Sequence, residues 1–528
     1  MPMRCCGCIF ADADMHRAAV AISVWPVHDY PFEPPQAFSA FGRATALYAV
    51  YNGDETYTAD AVKMLDYMII NGSTPDDPTW AWPAVPYASS DGGALRFRGA
   101  HDIDRYCHGA PAQRAARCYG HGDGYGVLET DKVALAGNVY MLYWKRLALS
   151  RFLTAAVKCA EALTANVIPG DAVHSPWPFR VFAESNIVRE QYGPHVVEAL
   201  QLYDALLDLQ HDARAIAVAE FSVTNFTAHA AARDLALKWL LAYPMRNRAW
   251  CNYCEDVGVQ TDLTVDTAAA GDCNWNSITP TYTADYLLAN PEKDPQWEEH
   301  VASMIAFVEE KLGYGINSTG APALAWGALT ISEQRLDTDK MGVHTARYAV
   351  TLATLADKLR NAGKHATADV ALEKARRSWN WASYTLSGNG SVGGPIRITA
   401  YSQGESDVWF CGQSHVPWHT LRLLGWDPVR APSDATHIVR STSVVVKAQY
   451  TSRGVYYSTF DKNATEVLRL ASSLVAKATS IVVTANGTVL PRKYTDAGLV
   501  DDWWRLDTTT GVVTVVHSAG NHISVEGS

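Results

Sequence analysis

The chain has 528 residues, which exceeds the roughly 250–300 residues that one hydrophobic core supports, so one large or two unequal domains are expected. Its formal net charge of −11 argues against a nucleic acid partner, because phosphates need a basic surface, but leaves open an anionic sugar bound in a local Arg/His cleft. The 17 Trp and 25 Tyr against 13 Phe indicate a preference for aromatic rings with a polar group, which suits flat and wettable surfaces.

The cysteines and the N-terminal segment give few constraints. Cys251 and Cys254 form a single CxxC, and a structural zinc site needs four ligands, so a disulfide or buried thiols are favoured over a metal. No cofactor is predicted. Charged residues interrupt the N-terminal segment, so it lacks a clear signal peptide. No run approaches the roughly 20 apolar residues of a membrane span, and a membrane partner is not predicted.

From residue 41 onward, the predicted elements are pairs of helices joined by turns. In ATALYAVYNGDETYTADAVKMLDYMI, an Asn-Gly-Asp turn separates two runs whose apolar residues recur at three- and four-residue spacing. Hairpins without a strict repeat length fit a closed ring better than a regular solenoid. The later helices are predicted at 133–163 (with a soft break near 146–150), 196–209 with 228–241, 284–288 with 297–312, and 345–359 with 366–384.

The connections between hairpins share a composition, since each carries Trp, usually beside Gly, Pro or a polar residue. They lie at 80–93, 174–181, 250–277, 324–328 and 406–419. In a ring most of them gather on one rim, and loops on a rigid scaffold are where binding residues concentrate. One such Trp is typical of a loop plug, but five such loops favour a groove for sugar rings. The predicted substrate contacts are Trp177, Arg180, Tyr253, Trp275 and Trp409.

The pattern changes at GWDPVRAPSD, which is typical of a linker. Beyond it, TSVVVKAQY, GVYYSTF, SIVVTANGTVL, GVVTVVH and HISVE are short β-branched and aromatic runs separated by turn residues, with a hairpin expected around Asn486-Gly487. The sequence therefore predicts an N-terminal extension over 1–40, a helical ring over 41–430 and an antiparallel β-sandwich over 431–528.

The stretch MGVHTARYA at 341–349 is the predicted working centre. The residues after it are strongly helical in pattern, and on that helix His344, Arg347 and Tyr348 fall at i, i+3 and i+4, on one face. Such a polar stripe on an apolar helix costs desolvation energy, so the three groups are either paired with one another or used. The alternative is a structural hydrogen-bond cluster between packed helices.

A hairpin ring with aromatic rim loops and a C-terminal β-sandwich resembles the α/α-toroid carbohydrate-active enzymes, both six-hairpin glycosidases and polysaccharide lyases of the alginate and glucuronan lyase type. The resemblance implies a polysaccharide or oligosaccharide substrate and favours a secreted or periplasmic location. In the toroid lyases, Asn or Arg neutralises the uronate carboxylate, His or Tyr is the base, and Tyr is the acid. Residues of matching type here are Asn276 in NWNS, Tyr192 and His195 in EQYGPHV, and His344, Arg347 and Tyr348.

The chemistry of β-elimination explains why such residues are needed. Removal of a proton alpha to a carboxylate requires a nearby amide or guanidinium that stabilises the developing charge. A group with a suitable pKa takes the proton, and a second donor protonates the departing oxygen. We therefore expect His344 to be the base, Tyr348 the acid, and Arg347 or Asn276 the carboxylate partner. This set needs no metal.

Two alternatives remain open at this point. Hydrolysis needs two carboxyl groups facing each other across the bond, and a non-catalytic glycan-binding protein would also explain the tryptophans, although not the polar stripe. The candidate hydrolytic acids lie in predicted loops near aromatic residues: Glu255, Asp256, Glu333, Glu405 and Asp407.

Overall fold

The fold is a ring of helical hairpins followed by a β-sandwich, taken from a computed structural model. The structure describes residues 34–87, 127–218, 226–251, 275–314, 327–335, 341–383, 410–494, 502–518 and 520–527. The long helices are α1 (Pro34–Asn52), α2 (Thr58–Ile70), α3 (Thr130–Leu147), α4 (Ser150–Ala165), α5 (Val197–Leu207), α6 (Phe226–Leu240), α7 (Ile278–Ala289), α8 (Trp297–Leu312), α9 (Gly342–Asn361), α10 (His365–Ser383) and α11 (Phe410–Trp426).

Six of these helices form a closed inner ring. In order around the ring they are α1, α3, α5, α7, α9 and α11, and the ring closes because α11 packs against α1. The other five pack outside as the second helices of the hairpins. Each of the first five inner helices is followed by an outer helix that runs back along it, so the N-termini of the inner helices share one end of the ring. This is the α/α toroid that the sequence predicts.

The hairpin pattern located five inner helices but missed the sixth. The sequence pattern predicts a connection over 406–419, whereas residues 410–419 lie inside α11, which contains Pro417. Proline within a helix removes a hydrogen bond and disfavours the conformation, and the polar His415 and His419 obscure the apolar spacing. The packing of α11 between α9 and α1 outweighs this local preference.

The C-terminal part is an antiparallel β-sandwich, as predicted. The strands are β6 (His437–Ser441), β7 (Val445–Thr451), β8 (Gly454–Thr459), β9 (Ala464–Arg469), β10 (Ile481–Ala485), β11 (Thr488–Val489), β12 (Trp503–Asp507), β13 (Val512–His517) and β14 (His522–Gly527). One sheet has the strand order β11-β10-β14-β8-β7 and the other β12-β13-β9-β6, and their facing side chains form a separate apolar core. Asn486 and Gly487 both have positive φ in the hairpin turn, as the Asn-Gly signal requires.

Small sheets also occur within the ring domain. Strands β1 (Val127–Glu129), β2 (Arg180–Phe182) and β3 (Val188–Glu190) form one, and β4 (Gly313–Tyr314) pairs with β5 (Thr330–Ile331). The first described helix begins at Pro34 and the first sandwich strand at His437, while the domain boundaries at 40 and 430 stay predictions. None of the described helices is long and apolar enough to cross a membrane.

The sandwich is joined to the ring at the C-terminal ends of the inner helices. The Tyr450 hydroxyl donates to the Val50 carbonyl at 2.6 Å, and His437 Nδ1 lies 3.0 Å from the Tyr51 carbonyl while its ring stacks on Tyr51. These contacts fix β6 and β7 against α1. The opposite, N-terminal end of the inner helices carries most of the predicted site residues.

Candidate active site

Several inner helices present polar side chains at three- and four-residue spacing toward the centre of the ring. These side chains contact one another across helices: Thr351 and Arg422 both bind Asp285, each at 2.7 Å, which links α9, α11 and α7. The stripes are His344, Arg347 and Thr351 on α9, Tyr282 and Asp285 on α7, and His415, Trp418, His419 and Arg422 on α11.

Arg347 is a buried cation without a carboxylate partner in the described chain. Only 4% of the residue is exposed, and its Nη1 donates to His344 Nδ1 at 3.1 Å. Its guanidinium carbon lies 4.6 Å from the centroid of the Tyr282 ring, and its Nε has no hydrogen-bond partner among the described residues. A buried charge normally needs an opposite charge, and none of the described residues pairs a carboxylate with Arg347.

The contact with Arg347 fixes the tautomer of His344. A guanidinium can only donate, so His344 Nδ1 is the acceptor and Nε2 carries the proton. Burial and the positive charge of Arg347 hold the pKa of His344 well below 6.5, so the ring is neutral near pH 7. Its Nε2 faces Glu333 Oε1 at 3.6 Å. His344 is therefore arranged to donate through Nε2, which does not fit its predicted role as base.

Tyr282 connects Arg347 to a second predicted residue, His195. The His195 ring lies 5.3 Å from the Tyr282 ring, and burial lowers the pKa of His195 to about 4, so this imidazole is neutral near pH 7. The Tyr282 hydroxyl makes no hydrogen bond with any described residue. A neutral imidazole, an uncommitted phenol and a buried guanidinium thus share one space.

Two further histidines border the same space from α11. His419 is fully buried with no partner for either ring nitrogen among the described residues, and its ring lies 6.1 Å from that of His415. Burial, with Arg347 nearby, holds the pKa of His419 well below 6.5. Among the described residues, the surroundings of Arg347 therefore contain imidazoles that stay uncharged, and no carboxylate pairs with it.

Three other predicted catalytic residues have structural contacts instead. The Tyr348 hydroxyl donates to Glu309 of the outer helix α8 at 2.6 Å, so it is directed away from the ring centre. Asn276 Oδ1 accepts the backbone N–H groups of Ile278 and Thr279 at 3.0 and 2.8 Å and caps α7. The Tyr192 hydroxyl donates to the Ala249 carbonyl at 3.0 Å. These contacts do not favour catalytic roles for the three side chains, whose assignments stay predictions.

The predicted groove residues are only partly available to a ligand. Trp177 is 3% exposed and its indole donates to the Leu163 carbonyl, so it packs in the core, which does not favour the groove contact that stays a prediction for it. Arg180 is buried and pairs across the small sheet with Glu129 and Glu190, at 3.5 and 3.2 Å. Trp275 is half-buried with Lys311 4.6 Å from its centroid. Tyr253 and Trp409 lie outside the described residues.

Of the five candidate hydrolytic acids, only Glu333 lies in the described part of the chain. Its side chain is 20% exposed and faces His344. Glu255, Asp256, Glu405 and Asp407 lie outside the described residues. Cys251 is disulfide-bonded, as the preference for a disulfide over zinc predicts.

The sequence pattern did not identify Tyr282, His415 and His419 as candidate site residues. Each lies in a helix whose pattern gave no polar stripe of its own: ITPTYTADYLLA is dominated by Thr and apolar residues, and α11 was not recognised as a helix. The sequence does contain a signal for Tyr282, because Asp285 lies at i+3 from it and the two side chains share one face of the helix. Its contact with Arg347 depends on the ring and cannot be deduced from either helix alone.

No protein family model matches the chain, and no curated protein matches it. Among solved structures, a D-mannose isomerase is similar at 11% identity, over 80% of this chain and 99% of that one, with a TM-score of 0.48. A polysaccharide lyase has 10% identity over 79% and 97% with a TM-score of 0.43. A family 76 glycoside hydrolase from a bovine Bacteroides thetaiotaomicron strain has 11% over 79% and 77% with a TM-score of 0.45. The names cover isomerase, lyase and hydrolase, so they do not select a reaction.

Proposed function

We propose that this protein is a polysaccharide lyase that cleaves a uronic-acid-containing glycan by β-elimination. The observation that supports this most directly is Arg347, a buried guanidinium in the ring whose hydrogen-bond partner is a neutral histidine. A uronate carboxylate supplies the missing negative charge. Its planar oxygens match the fork of the guanidinium, with Nε unused in the described chain.

In the proposed reaction, Arg347 stabilises the charge that develops on the carboxylate when the alpha proton leaves. The electron pair of the broken C–H bond forms a carbon–carbon double bond, and the bond from the beta carbon to the glycosidic oxygen breaks. A proton donor then completes the leaving hydroxyl group. The product is an unsaturated uronate at the new chain end, and no water is consumed.

The neutral His195 is our proposed base. Arg347 is one of the charges that lower its pKa, so a carboxylate bound to Arg347 offsets that effect and raises the proton affinity of His195. The Tyr282 hydroxyl, on the same ring that Arg347 and His195 contact, is the proposed acid. His344 holds Arg347 in place through Nδ1, and these assignments replace those predicted for His344, Tyr348 and Asn276.

A glycoside hydrolase is the second candidate, and Glu333 is the observation that favours it. Its carboxylate lies 3.6 Å from His344 Nε2 and is partly accessible at the ring interior. A hydrolase needs a second carboxyl group across the bond. The sequence candidates for that role are Glu255, Asp256, Glu405 and Asp407.

A substrate panel distinguishes these proposals. The protein is incubated with uronate polymers and with neutral glycans, and each reaction is followed by ultraviolet absorbance and by reducing ends. Absorbance that rises with reducing ends on a uronate polymer is the expected result. Reducing ends without absorbance select the hydrolase, whereas binding without either product selects the glycan-binding alternative.

A further inference from the structure

A cavity of about 440 Å³ lies deeper in the ring, on the side of the β-sandwich. It is lined by five of the six inner helices, by β6, by the turn after β6 and by the start of β7. The volume falls within the roughly 300–1,000 Å³ of small-molecule sites and equals that of roughly fifteen waters at about 30 Å³ each. The space is therefore large enough for a sugar unit.

The charged groups in its wall are already paired. Arg43 binds Glu198 through two hydrogen bonds of 3.0 and 2.7 Å, and Arg422 binds Asp285 at 2.7 Å. The two guanidinium carbons lie 5.2 and 5.1 Å from the centroid of the Trp418 ring. Because each cation has its carboxylate, these pairs offer donors and acceptors to a polar ligand without demanding an anion. This differs from the surroundings of Arg347.

Two uncharged polar groups of the wall have no hydrogen-bond partner in the described chain. The Gln201 amide on α5 and the Tyr282 hydroxyl on α7 line the cavity, and neither makes a hydrogen bond with any described residue. An amide and a phenol facing an apolar and aromatic surface are the groups that recognise a ligand with several hydroxyls. Gln201 is not part of the proposed catalytic set.

Tyr282 also connects this cavity to the proposed catalytic site. Its ring contacts Arg347 and His195, while the same residue lines the cavity. The two spaces therefore share a wall. A saccharide whose uronate lies on Arg347 has its next unit directed toward either the N-terminal end of the ring or this cavity.

We infer that the cavity is a subsite for the terminal sugar unit of the substrate, so that the protein acts from a chain end. This inference rests on the proposed function for its chain-end part, but the cavity's affinity for a sugar does not depend on the reaction. β6 and β7 form its wall on the sandwich side, so the sandwich contributes to the binding of substrate as well as to the stability of the ring.

The binding of neutral monosaccharides tests the subsite. D-glucose, D-mannose and D-galactose are each titrated, by saturation-transfer NMR, against the wild type and against Arg347→Met, which lacks the proposed carboxylate site. We expect at least one of them to bind both proteins. Gln201→Ala should weaken that binding roughly fivefold, the worth of about one hydrogen bond. The control is Gln210→Ala, at an exposed position just beyond the end of α5, which should leave the binding unchanged.

The outcomes separate the two proposals. If none of the three sugars binds, if binding is lost in Arg347→Met, or if Gln201→Ala has no effect, the subsite is wrong. If neutral sugars bind as expected but no uronate polymer is cleaved, the proposed function is wrong and the subsite stands. Early products of one size support cleavage from a chain end, and a broad range of oligosaccharides contradicts it.

Discussion

At the scale of single residues, Arg347 has no carboxylate partner among the described residues and lies beside imidazoles that resist protonation. Arg347 lies between His344 and Tyr282, and burial lowers the pKa of His344 and His195. Protonation of either ring would place a second positive charge beside the first. We therefore expect the proposed site to favour negative charge, because its histidines stay neutral.

The low pKa of His195 predicts how activity depends on pH. A base must be unprotonated, and His195 in the free protein becomes protonated only as the pH falls through about 4. We expect the acid limb of the kcat/KM profile to lie near that value and below the ordinary histidine value of 6.5. Initial rates on the cleaved polymer across pH measure it, at pH values where circular dichroism shows a folded protein. A limb at 6.5 that persists in His195→Asn would exclude His195 as the base.

His229 predicts a second pH effect, on stability alone. It is 4% exposed on the outer helix α6, neither ring nitrogen has a partner in the described chain, and burial lowers its pKa to about 4. Between pH 6.5 and about pH 4, the unfolded chain binds a proton on His229 that the folded chain does not. The free energy of unfolding therefore falls as the pH falls, by up to about 1.4 kcal/mol per pH unit.

His229→Leu should remove this contribution. Urea unfolding at both ends of the pH window should show the variant gaining stability relative to the wild type at the acid end. His365→Leu, at an exposed position of α10, is the control. An equal difference between His229→Leu and wild type at both pH values would contradict the assignment.

At the scale of elements, the hairpin helices followed from apolar spacing and turn residues, but two features did not. α11 was missed because Pro417 and its histidines mask the helical pattern. The side-chain directions on α9 were only partly predictable: helical spacing places Tyr348 near the face of His344, yet its hydroxyl reaches Glu309 on α8. Which neighbour a long side chain reaches depends on packing that a single helix does not encode.

Asn276 illustrates the difference between a capping and a catalytic residue. If it only caps α7, Asn276→Ala should lower the free energy of unfolding by about 1 kcal/mol, because two backbone N–H groups lose their acceptor. Its kcat/KM should change less than tenfold. Urea unfolding and initial rates measure both, with Asn361→Ala at the exposed end of α9 as the control. A loss of activity of roughly 10²-fold or more without loss of stability would restore Asn276 to the site.

At the scale of the whole molecule, the ring and the sandwich were each predictable from their period, whereas their junction was not. The change from helical to alternating spacing marks two architectures, but it does not indicate that Tyr450 reaches Val50 or that β6 and β7 border a cavity inside the ring. Contacts between residues 400 positions apart depend on the closed ring. The convergence of Arg347, Tyr282 and His195 has the same origin.

Tyr450 tests whether the junction couples the two parts. Its hydroxyl donates to the Val50 carbonyl and accepts the Ile438 N–H at 2.9 Å, so Tyr450→Phe leaves buried backbone groups unpaired and should cost about 1–3 kcal/mol. The helical circular dichroism signal should then be lost at lower urea. The control is Tyr456→Phe, at an exposed position of β8, which should change stability by less than about 0.5 kcal/mol. An unchanged helical transition in Tyr450→Phe would mean that the ring does not depend on the sandwich.

The measurement that tests the central claim most directly is the paired activity and stability of Arg347→Met, with Arg360→Met on the exposed face of the same helix as the control. If Arg347 is kept for a substrate carboxylate, the variant should lose roughly 10²–10³-fold in kcat/KM on the uronate polymer. Its thermal stability should be equal or higher, because an unpaired buried charge is replaced by an apolar side chain. Retained activity together with a marked loss of stability would show that Arg347 is a structural residue and would contradict the proposed site.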